Sequence, residues 1–388
     1  MDPQPSILFC LDFYWPHIGG GEVLFTGLAE GLARRGWKVR VLTQHLKDSP
    51  DFEVRHGVEI YRHWSARRAT FSLASIPALC RLAREADIIH ASTYAAAFPA
   101  WVASRLMRKP LVLTVHEIWI GKWNKVSDDG FWSNMLNDKL ERLIHLFNYR
   151  NYIAVSEATA RDMVACGIPS ERIRVIHNGI DYSVWKPDAY NRMEARKRLG
   201  VSDDDFLFMY SGRPGCSKGF PYLLQALARI VKRYPQVILL ARLSSSRAVQ
   251  KDYCHALQMI EELGLSDHVR NIPPVPFDMI PPMTLSADTV VVPSLSEGFG
   301  FVAVEACAMK RPVIVSNTAS LPEVVSGKVL RVPPRDVDAL ADAMERAIRQ
   351  EWEEIPEKRF PISEMIDKHI ACYREILGCP EAGSQIES

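Results

Sequence analysis

The sequence has no excess of either charge, no cysteine pairs at metal-binding spacing and no apolar run long enough to cross a bilayer. Its 47 basic and 46 acidic residues leave a net charge of +1, which gives no global attraction to nucleic acid or membrane. The eight cysteines form no CxxC pair and no Cys/His zinc pattern, which favours reduced thiols in a cytosolic protein. The N-terminal segment lacks the basic region of a signal peptide, and Asp12 interrupts its apolar run. We therefore expect a cytoplasmic protein that does not bind nucleic acid, with peripheral contact on the inner face of a membrane left open.

What the chain does contain is a regular alternation of short apolar segments with helical patterns. Its 388 residues are comfortable for two domains, each with its own core. The apolar segments are continuous, as in parallel strands that are covered on both faces. They are ILFCLD, WKVRVLT, DIIHAS, PLVLTVH and YIAVS, followed by FLFMYSG, VILLA, TVVVPS and PVIVS. The sequence predicts an α/β fold with two doubly wound, Rossmann-like domains.

A boundary between these domains is indicated near residues 178–205. Asn178-Gly179 is a turn signal, and Trp185-Lys186-Pro187 interrupts regular structure. We place the first domain at 1–183, the second at 184–361 and a disordered tail at 379–388. The acidic triplet Asp203–Asp205 precedes a predicted strand, where a solvated turn is favoured over a metal site.

The segment SEGFGFVAVEACAMKRPVIVSN, at 296–317, places Glu297 and Glu305 on either side of a glycine turn. The preceding TVVVPS predicts a buried strand and AVEACAM predicts a helix, so the turn lies where open α/β sheets bind ligands. Glycines allow close approach of a ligand, and free amides at a helix start favour negative charge. Glu297 lies in the loop and Glu305 about one turn into the helix, so both can face one crevice.

A second strand-to-helix turn combines two glycines with two cations. Gly212-Arg213 and Lys218-Gly219 lie between FLFMYS and the helical segment FPYLLQALARIVKRY. Arginine offers a planar fork and lysine a point charge, and the helix dipole adds to both. This combination suits a diphosphate.

Three further features lie in the first half of the chain. Gly19 and Gly20 stand between the first predicted strand and a helix, but without the GxGxxG spacing of dinucleotide-binding proteins. His116 ends the strand PLVLTVH and is expected at the carboxyl edge of the sheet. Trp119, Trp123 and Trp132 follow within fourteen residues; they can stack on a sugar or an apolar acceptor, or else form the core of the following helix.

Taken together, these segments resemble the motifs of glycosyltransferase family 4. The similar features are the paired carboxylates around a Gly-Phe-Gly turn, a Gly-Arg-x4-Lys-Gly diphosphate signature, a PHxGGxE loop and an NGID-like interdomain turn. They extend over nearly the whole chain. The resemblance implies the GT-B arrangement, in which two Rossmann-like domains face each other across a cleft. It also implies that a C-terminal helix at 362–378 crosses back to close the first domain.

The resemblance implies a retaining hexosyltransferase that moves a sugar from a nucleoside-diphosphate donor to a hydroxyl acceptor without a cofactor or metal ion. The donor, expected to be UDP- or GDP-linked, would bind the second domain, and a sugar, lipid-linked or small-molecule acceptor the first. The implied catalytic residues are His116, Arg213, Lys218 and Glu297; the implied donor-binding residues are Gly19, Gly20, Gly298, Phe299, Gly300, Phe301 and Glu305; the acceptor-side candidates are Trp119 and Trp123.

Within this pattern, each group has an implied role. Arg213 and Lys218 would stabilise the leaving phosphate, together with the amides of Gly19-Gly20. Glu297 and the amides that follow it would hold the sugar hydroxyls, and Glu305 would accept from the ribose. His116 would lie near the transferred sugar.

The sequence departs from the family pattern at three places. Arg242, Leu243 and Ser244 replace a Gly-x-Gly turn that the family places beside the nucleotide. Lys310 replaces a helix-ending glycine, and Ala319-Ser320 replace glycines before LPEVV. Because of the first departure, the sequence does not determine which nucleotide base the donor carries.

Two alternative functions share the predicted phosphate site. A sugar-nucleotide epimerase of the same shape would release an altered nucleotide sugar without needing an acceptor. A non-catalytic sugar-nucleotide-binding subunit would keep the Arg213 and Lys218 site and turn nothing over.

Overall fold

The computed structural model describes residues 5–17, 19–65, 68–127, 130–147, 149–245 and 249–379. The chain divides into two compact units. Unit 1 comprises 1–120, 136–179 and 360–388, and unit 2 comprises 121–135 and 180–359. The junction at 179/180 lies a few residues before the predicted one, and the segment 121–135 belongs to unit 2. The predicted disordered tail lies outside the described residues, except for Cys379.

Strands and helices alternate along most of the described chain. The strands are β1 (Ser6–Cys10), β2 (Lys38–Gln44), β3 (Phe52–Arg55), β4 (Val58–His63), β5 (Ile88–Ser92), β6 (Leu111–Val115), β7 (Asn151–Ala154), β8 (Ile173–Val175), β9 (Phe206–Gly212), β10 (Val237–Leu243), β11 (Val269–Ile272), β12 (Thr289–Val292), β13 (Val313–Ser316), β14 (Gly327–Val332) and β15 (Glu353–Ile355). The helices are α1 (Gly20–Arg34), α2 (Arg68–Ala74), α3 (Ile76–Ala83), α4 (Ala97–Met107), α5 (Trp123–Val126), α6 (Phe131–Leu146), α7 (Glu157–Ala165), α8 (Arg192–Arg198), α9 (Phe220–Ile230), α10 (Gln250–Glu262), α11 (Ile280–Ser286), α12 (Phe301–Ala308), α13 (Leu321–Val324), α14 (Val337–Ile348) and α15 (Ile362–Leu377).

Unit 1 is built on an eight-stranded sheet with the order β3-β4-β2-β1-β5-β6-β7-β8. Its strands pair in parallel except for β3, which is antiparallel to β4. The order changes direction at β1, because the chain first moves to β2 on one side and later to β5 on the other. The carboxyl ends of β1 and β5 therefore form the topological switch point of this sheet.

Unit 2 is built on a seven-stranded sheet with the order β11-β10-β9-β12-β13-β14-β15. Its strands also pair in parallel, except that β15 is antiparallel to β14. Here the direction changes at β9, which pairs with β10 on one side and with β12 on the other. The segments that follow β9 and β12 meet at a switch point, where open α/β sheets bind ligands.

The central strands are buried on both faces because helices cover each sheet, as the continuous apolar runs predict. In unit 2, Phe208 and Leu239 belong to one core cluster and Leu207 and Leu240 to another. Alternate residues of a strand point to opposite faces, so these two clusters lie on the two sides of the sheet. The predicted α/β class with two doubly wound domains is confirmed.

The last helix, α15, packs on α1 within unit 1. Gly27 and Gly31 of α1 allow this close approach, because a Cβ at either position would overlap the side chain of Ile362 or Ile366. The helix is also tied to β5, since Tyr373 Oη lies 2.6 Å from His90 Nδ1.

Within the described residues, no helix combines the length and apolar character needed to cross a membrane.

Candidate functional site

The two loops at the switch point of unit 2 are in close backbone contact. Gly219 lies between a 3-10 turn (Cys216–Lys218) and α9, with a φ of +72°. A Cβ at Gly219 would overlap the carbonyl oxygen of Pro293 and lie 2.6 Å from its carbonyl carbon. The N–H of Leu295 donates to the carbonyl of Ser217 (2.9 Å). Glycine is therefore required at 219 by both backbone conformation and space.

Lys218 and Glu297 form an ion pair at this contact. Lys218 Nζ lies 2.9 Å from Glu297 Oε1, and the side chains are 19% and 15% exposed. The hydroxyl of Ser294 donates to the same Oε1 (2.8 Å), and Lys218 also donates to the carbonyl of Ser296 (3.4 Å). Because the pair is shielded from water, its electrostatic attraction exceeds that of a surface pair. The structure thus joins two residues that the sequence places in separate motifs.

Arg213 has a fixed backbone and an exposed side chain. Its carbonyl accepts a hydrogen bond from Tyr210 Oη (2.5 Å), and Tyr210 is itself only 2% exposed. In the part of the chain that the structure describes, no hydrogen bond or ion pair holds the Arg213 guanidinium. Its role toward a phosphate stays a prediction.

Glu305 lies on α12, near Arg242 of β10. The helix follows Gly300, whose φ of +86° is a left-handed conformation that favours glycine. Burial raises the pKa of Glu305 to about 7, and the charge of Arg242 partly opposes this rise. The Arg242 guanidinium donates to Ser211 Oγ from Nε (3.0 Å) and from Nη2 (2.5 Å). The departure at Arg242 thus places a cation near the carboxylate that is predicted to bind ribose.

The raised pKa of Glu305 predicts that the stability of unit 2 depends on pH. Between the ordinary pKa of 4.5 and about 7, the folded state holds a proton that the unfolded state has lost. The free energy of unfolding should therefore fall as pH rises through this window. The loss of stability should be complete above about pH 7. Glu305→Gln should raise the thermal midpoint more at about pH 8 than at about pH 5, whereas Glu261→Gln, at an exposed position, should change neither. Equal shifts at both pH values would contradict this.

Two of the other departures from the family pattern, Lys310 and Ala319, keep the backbone conformation that glycine favours. Lys310 has a φ of +54° and Ala319 a φ of +50°, both in the left-handed region. The buried hydroxyl of Ser320 donates to the carbonyl of Glu297 (3.0 Å). Ser320 thereby fixes the loop that carries the carboxylate.

In unit 1, His116 follows β6 and packs against the start of α1. A Cβ at Gly21 would lie 3.4 Å from His116 Nε2, and the imidazole meets Phe25 edge to face at 5.8 Å. Burial lowers the pKa of His116, and the carboxylates of Glu22 and Glu117 only partly offset this effect. The ring is held in its neutral form, which can polarise a hydroxyl; its predicted place near the sugar is untested.

The predicted Gly19-Gly20 turn begins α1, with Gly19 as the N-cap. Glu22 folds back on it: its Oε1 lies 3.3 Å from His17 Nδ1, and its side chain occupies the space of a Cβ at Gly19. Burial by itself raises the pKa of Glu22, but hydrogen bonds from His17 and its own amide lower it overall. A carboxylate at this helix start opposes a diphosphate there, so the predicted role of Gly19 and Gly20 would require Glu22 to move.

The acceptor-side candidates are in different units. Trp119 belongs to unit 1, where its indole Nε1 donates to Glu117 (2.6 Å) and its backbone N–H to Glu141 (3.0 Å). Trp123 begins the short helix α5 in unit 2. Trp132 lies on α6 and is 74% exposed, so core packing is the wrong interpretation for that residue.

Sequence reasoning missed several residues that shape these sites. Ser294 and Ser320 hold Glu297, Tyr210 anchors the Arg213 carbonyl, and Glu22 folds back on the glycine turn. Only Glu22 had a sequence signal, as the acid of the PHxGGxE loop and of the first turn of a helix. No group of His, Cys, Asp and Glu suited to a metal ion occurs among the described residues, and Asp203 and Asp204 lie exposed in a turn.

Comparison with known proteins identifies this type of fold. The sucrose-phosphate synthase of Thermosynechococcus elongatus superposes with a TM-score of 0.83 at 23% identity, covering 97% of this chain and 99% of that one. HepE of Anabaena, in complex with UDP-glucose, superposes with a TM-score of 0.79 at 22% identity over 95% and 99% of the two chains. With its two parallel-dominated sheets, the protein has an α/β fold of GT-B type.

Sequence profiles narrow the assignment. The profile described as Glycosyltransferase Family 4 matches residues 18–184, and that described as Glycosyl transferases group 1 matches 191–361. An uncharacterized glycosyltransferase of Methanocaldococcus jannaschii is 28% identical over 357 residues, or 87% of each chain. The chain belongs to the group 1, family 4-like glycosyltransferases. The resemblance drawn from its motifs is confirmed, and a glycosyltransferase is favoured over an epimerase or a non-catalytic subunit.

Proposed function

We propose that the protein transfers a hexose-type sugar from a nucleoside-diphosphate sugar to a hydroxyl acceptor, with retention of configuration and without a metal ion. The observation that carries this proposal is the Lys218–Glu297 pair, 2.9 Å apart and largely shielded from water. It lies at the switch point of unit 2. A cation suited to phosphate and a carboxylate suited to sugar hydroxyls are thus side by side.

The donor diphosphate would lie against the turn after β9. Lys218, the Arg213 fork and the amides at the start of α9 would supply positive charge at this turn. The binding of UDP-glucose by Anabaena HepE supports a UDP-linked donor here. Both UDP- and GDP-linked sugars remain candidates.

The sugar and ribose would use the turn after β12. Glu297 would accept from sugar hydroxyls, with the amides of Gly298 to Phe301 adding donors. Glu305 would accept from the ribose hydroxyls. Arg242 supports this assignment, because its charge favours the ionised carboxylate that accepts such bonds.

Transfer would proceed through an oxocarbenium-like state. The bond between the anomeric carbon and the phosphate oxygen breaks, negative charge builds on the phosphate, and Arg213 and Lys218 stabilise it. The acceptor hydroxyl forms its bond from the face that the phosphate leaves, and its proton passes to the departing phosphate. Retention follows without a carboxylate nucleophile. Because Arg213 and Lys218 would stabilise the negative charge on the leaving phosphate, the reaction would need no divalent ion for that purpose.

The division of labour between the two glutamates can be tested by substitution. If Glu297 binds sugar more strongly as charge develops, Glu297→Gln should lower kcat at least about tenfold with little change in affinity for the bare nucleoside diphosphate. Glu305→Gln should instead weaken that diphosphate. Calorimetry and donor turnover should be measured above about pH 7, where Glu305 is ionised, with Glu261→Gln as the control.

An equal loss of diphosphate affinity in Glu297→Gln and Glu305→Gln would show that the division of roles is wrong. Unchanged kcat and affinity in both variants would place the donor elsewhere.

A further inference from the structure

The outward face of α6 is apolar. In unit 1, four leucines of α6 follow the helical spacing i, i+4, i+7 and i+10, and so form one stripe. They are exposed to extents that range from 48% at Leu143 to 76% at Leu146. We call this set the α6 stripe: Leu136, Leu140, Leu143 and Leu146.

The inward face of the same helix carries polar side chains beside Ile144, which packs against the core of unit 1. Glu141 is only 5% exposed. Glu141 accepts the backbone N–H of Trp119 (3.0 Å), and Asp138 keeps only 22% of its side chain exposed. A surface helix of a globular protein normally turns its apolar side inward. Since α6 exposes four leucines instead, its stripe is suited to a partner that is itself apolar.

The charged side chains of α6 differ in how far they are exposed. Glu141 lies on the inward side, and Asp138 is paired with Arg142, whose Nε donates to its Oδ2 (2.7 Å). Lys139 is exposed between the leucines, and Arg142 is 56% exposed at their edge. Beside Leu146, a groove of about 460 Å³ is lined by Arg142 and Arg172. Among the described residues, the lining of this groove therefore has basic and no acidic side chains, although the whole chain is nearly neutral.

This pattern argues against a second copy of the chain as the partner. Lys139 lies near the middle of α6, so two copies meeting about a two-fold axis would bring their Lys139 side chains together. Like charges in a desolvated contact are unfavourable. An anionic lipid surface satisfies both the leucines and the cations.

We propose that the α6 stripe docks on an anionic phospholipid membrane. The helix lies flat in the interface, with the stripe among the acyl chains and Lys139, Arg142 and Arg172 at the phosphates, as in interfacial amphipathic helices. This goes beyond the proposed transfer reaction, because it places the enzyme where acceptors in a bilayer are within reach.

Vesicle co-sedimentation of the full chain tests the proposal. The protein should bind vesicles of phosphatidylglycerol and phosphatidylcholine in equal parts, and bind pure phosphatidylcholine less. Leu140→Gln with Leu143→Gln should reduce partitioning about tenfold or more, because apolar burial is lost while helix propensity is kept. Lys139→Gln should reduce binding to the anionic vesicles about fivefold and leave neutral vesicles unaffected.

The matched control is Met193→Gln, at a 66% exposed apolar side chain on α8, which should bind like the wild type. Circular dichroism should show unchanged folding in every variant. Three results would overturn the proposal: no binding of the wild type to either vesicle, full binding by the double variant, or a lipid-free dimer that the double variant dissociates. The last result would assign the stripe to a second copy.

Discussion

Replacing Lys218 by alanine is expected to lower nucleotide-sugar turnover by at least about thirtyfold. The substitution removes a cation from the leaving phosphate and leaves the Glu297 carboxylate, 15% exposed, without its partner beside the donor. Truncating one member of a buried charge pair costs roughly 2–5 kcal/mol, and each 1.4 kcal/mol is about tenfold. The measurement is kcat/KM for release of the nucleoside diphosphate.

Arg213→Ala should lower kcat/KM at least about tenfold. The effect is smaller than for Lys218→Ala because the Arg213 guanidinium is exposed. Lys232→Ala, at an exposed lysine after α9, is the control and should keep the wild-type rate. The Lys218→Ala and Glu297→Gln losses should be less than additive, because the two side chains are in contact. Near-normal rates in both Arg213→Ala and Lys218→Ala would place the phosphate site elsewhere.

Gly219→Ala is expected to destabilise unit 2 by about 3–5 kcal/mol, near the upper end for a single substitution. The new Cβ would overlap the carbonyl group of Pro293 and would sit on a residue with a φ of +72°. Neither backbone segment can rotate away as a side chain could. The free energy of unfolding from a denaturant titration, followed by circular dichroism, measures the loss.

Gly264→Ala separates the two causes. Gly264 has a similar φ of +67°, but nothing lies within 4 Å of a Cβ built there. Its substitution should cost only about 1 kcal/mol from backbone strain. Equal losses at the two glycines would show that the close approach of the two loops contributes nothing.

The fold could be predicted largely from apolar periodicity, because the central strands are buried on both faces. Nine strands coincide with the apolar segments of the sequence. The strands that escaped prediction include the edge strands β3, β8 and β15, which are exposed or partly exposed along their length. An edge strand is covered less, so its sequence carries no continuous apolar run.

The candidate site was predicted in its parts but not in its assembly. Motifs located Lys218 and Glu297, but their ion pair depends on β9 and β12 being neighbours in the sheet, which sequence order does not show. The hydrogen bonds from Ser294 and Ser320 to Glu297 had no sequence signal. The orientation of α6 had no sequence signal either, because it depends on Glu141, which accepts a hydrogen bond from the backbone N–H of Trp119.

The central claim is that the switch point of unit 2 binds the donor diphosphate without a metal ion. Its most direct test is calorimetric titration of UDP and GDP into the full chain in the presence of a chelator. The account predicts binding of at least one of them at a single site per chain, unchanged by the chelator and weakened at least about thirtyfold by Lys218→Ala. Binding that requires added magnesium or manganese, or that Lys218→Ala leaves intact, would contradict it.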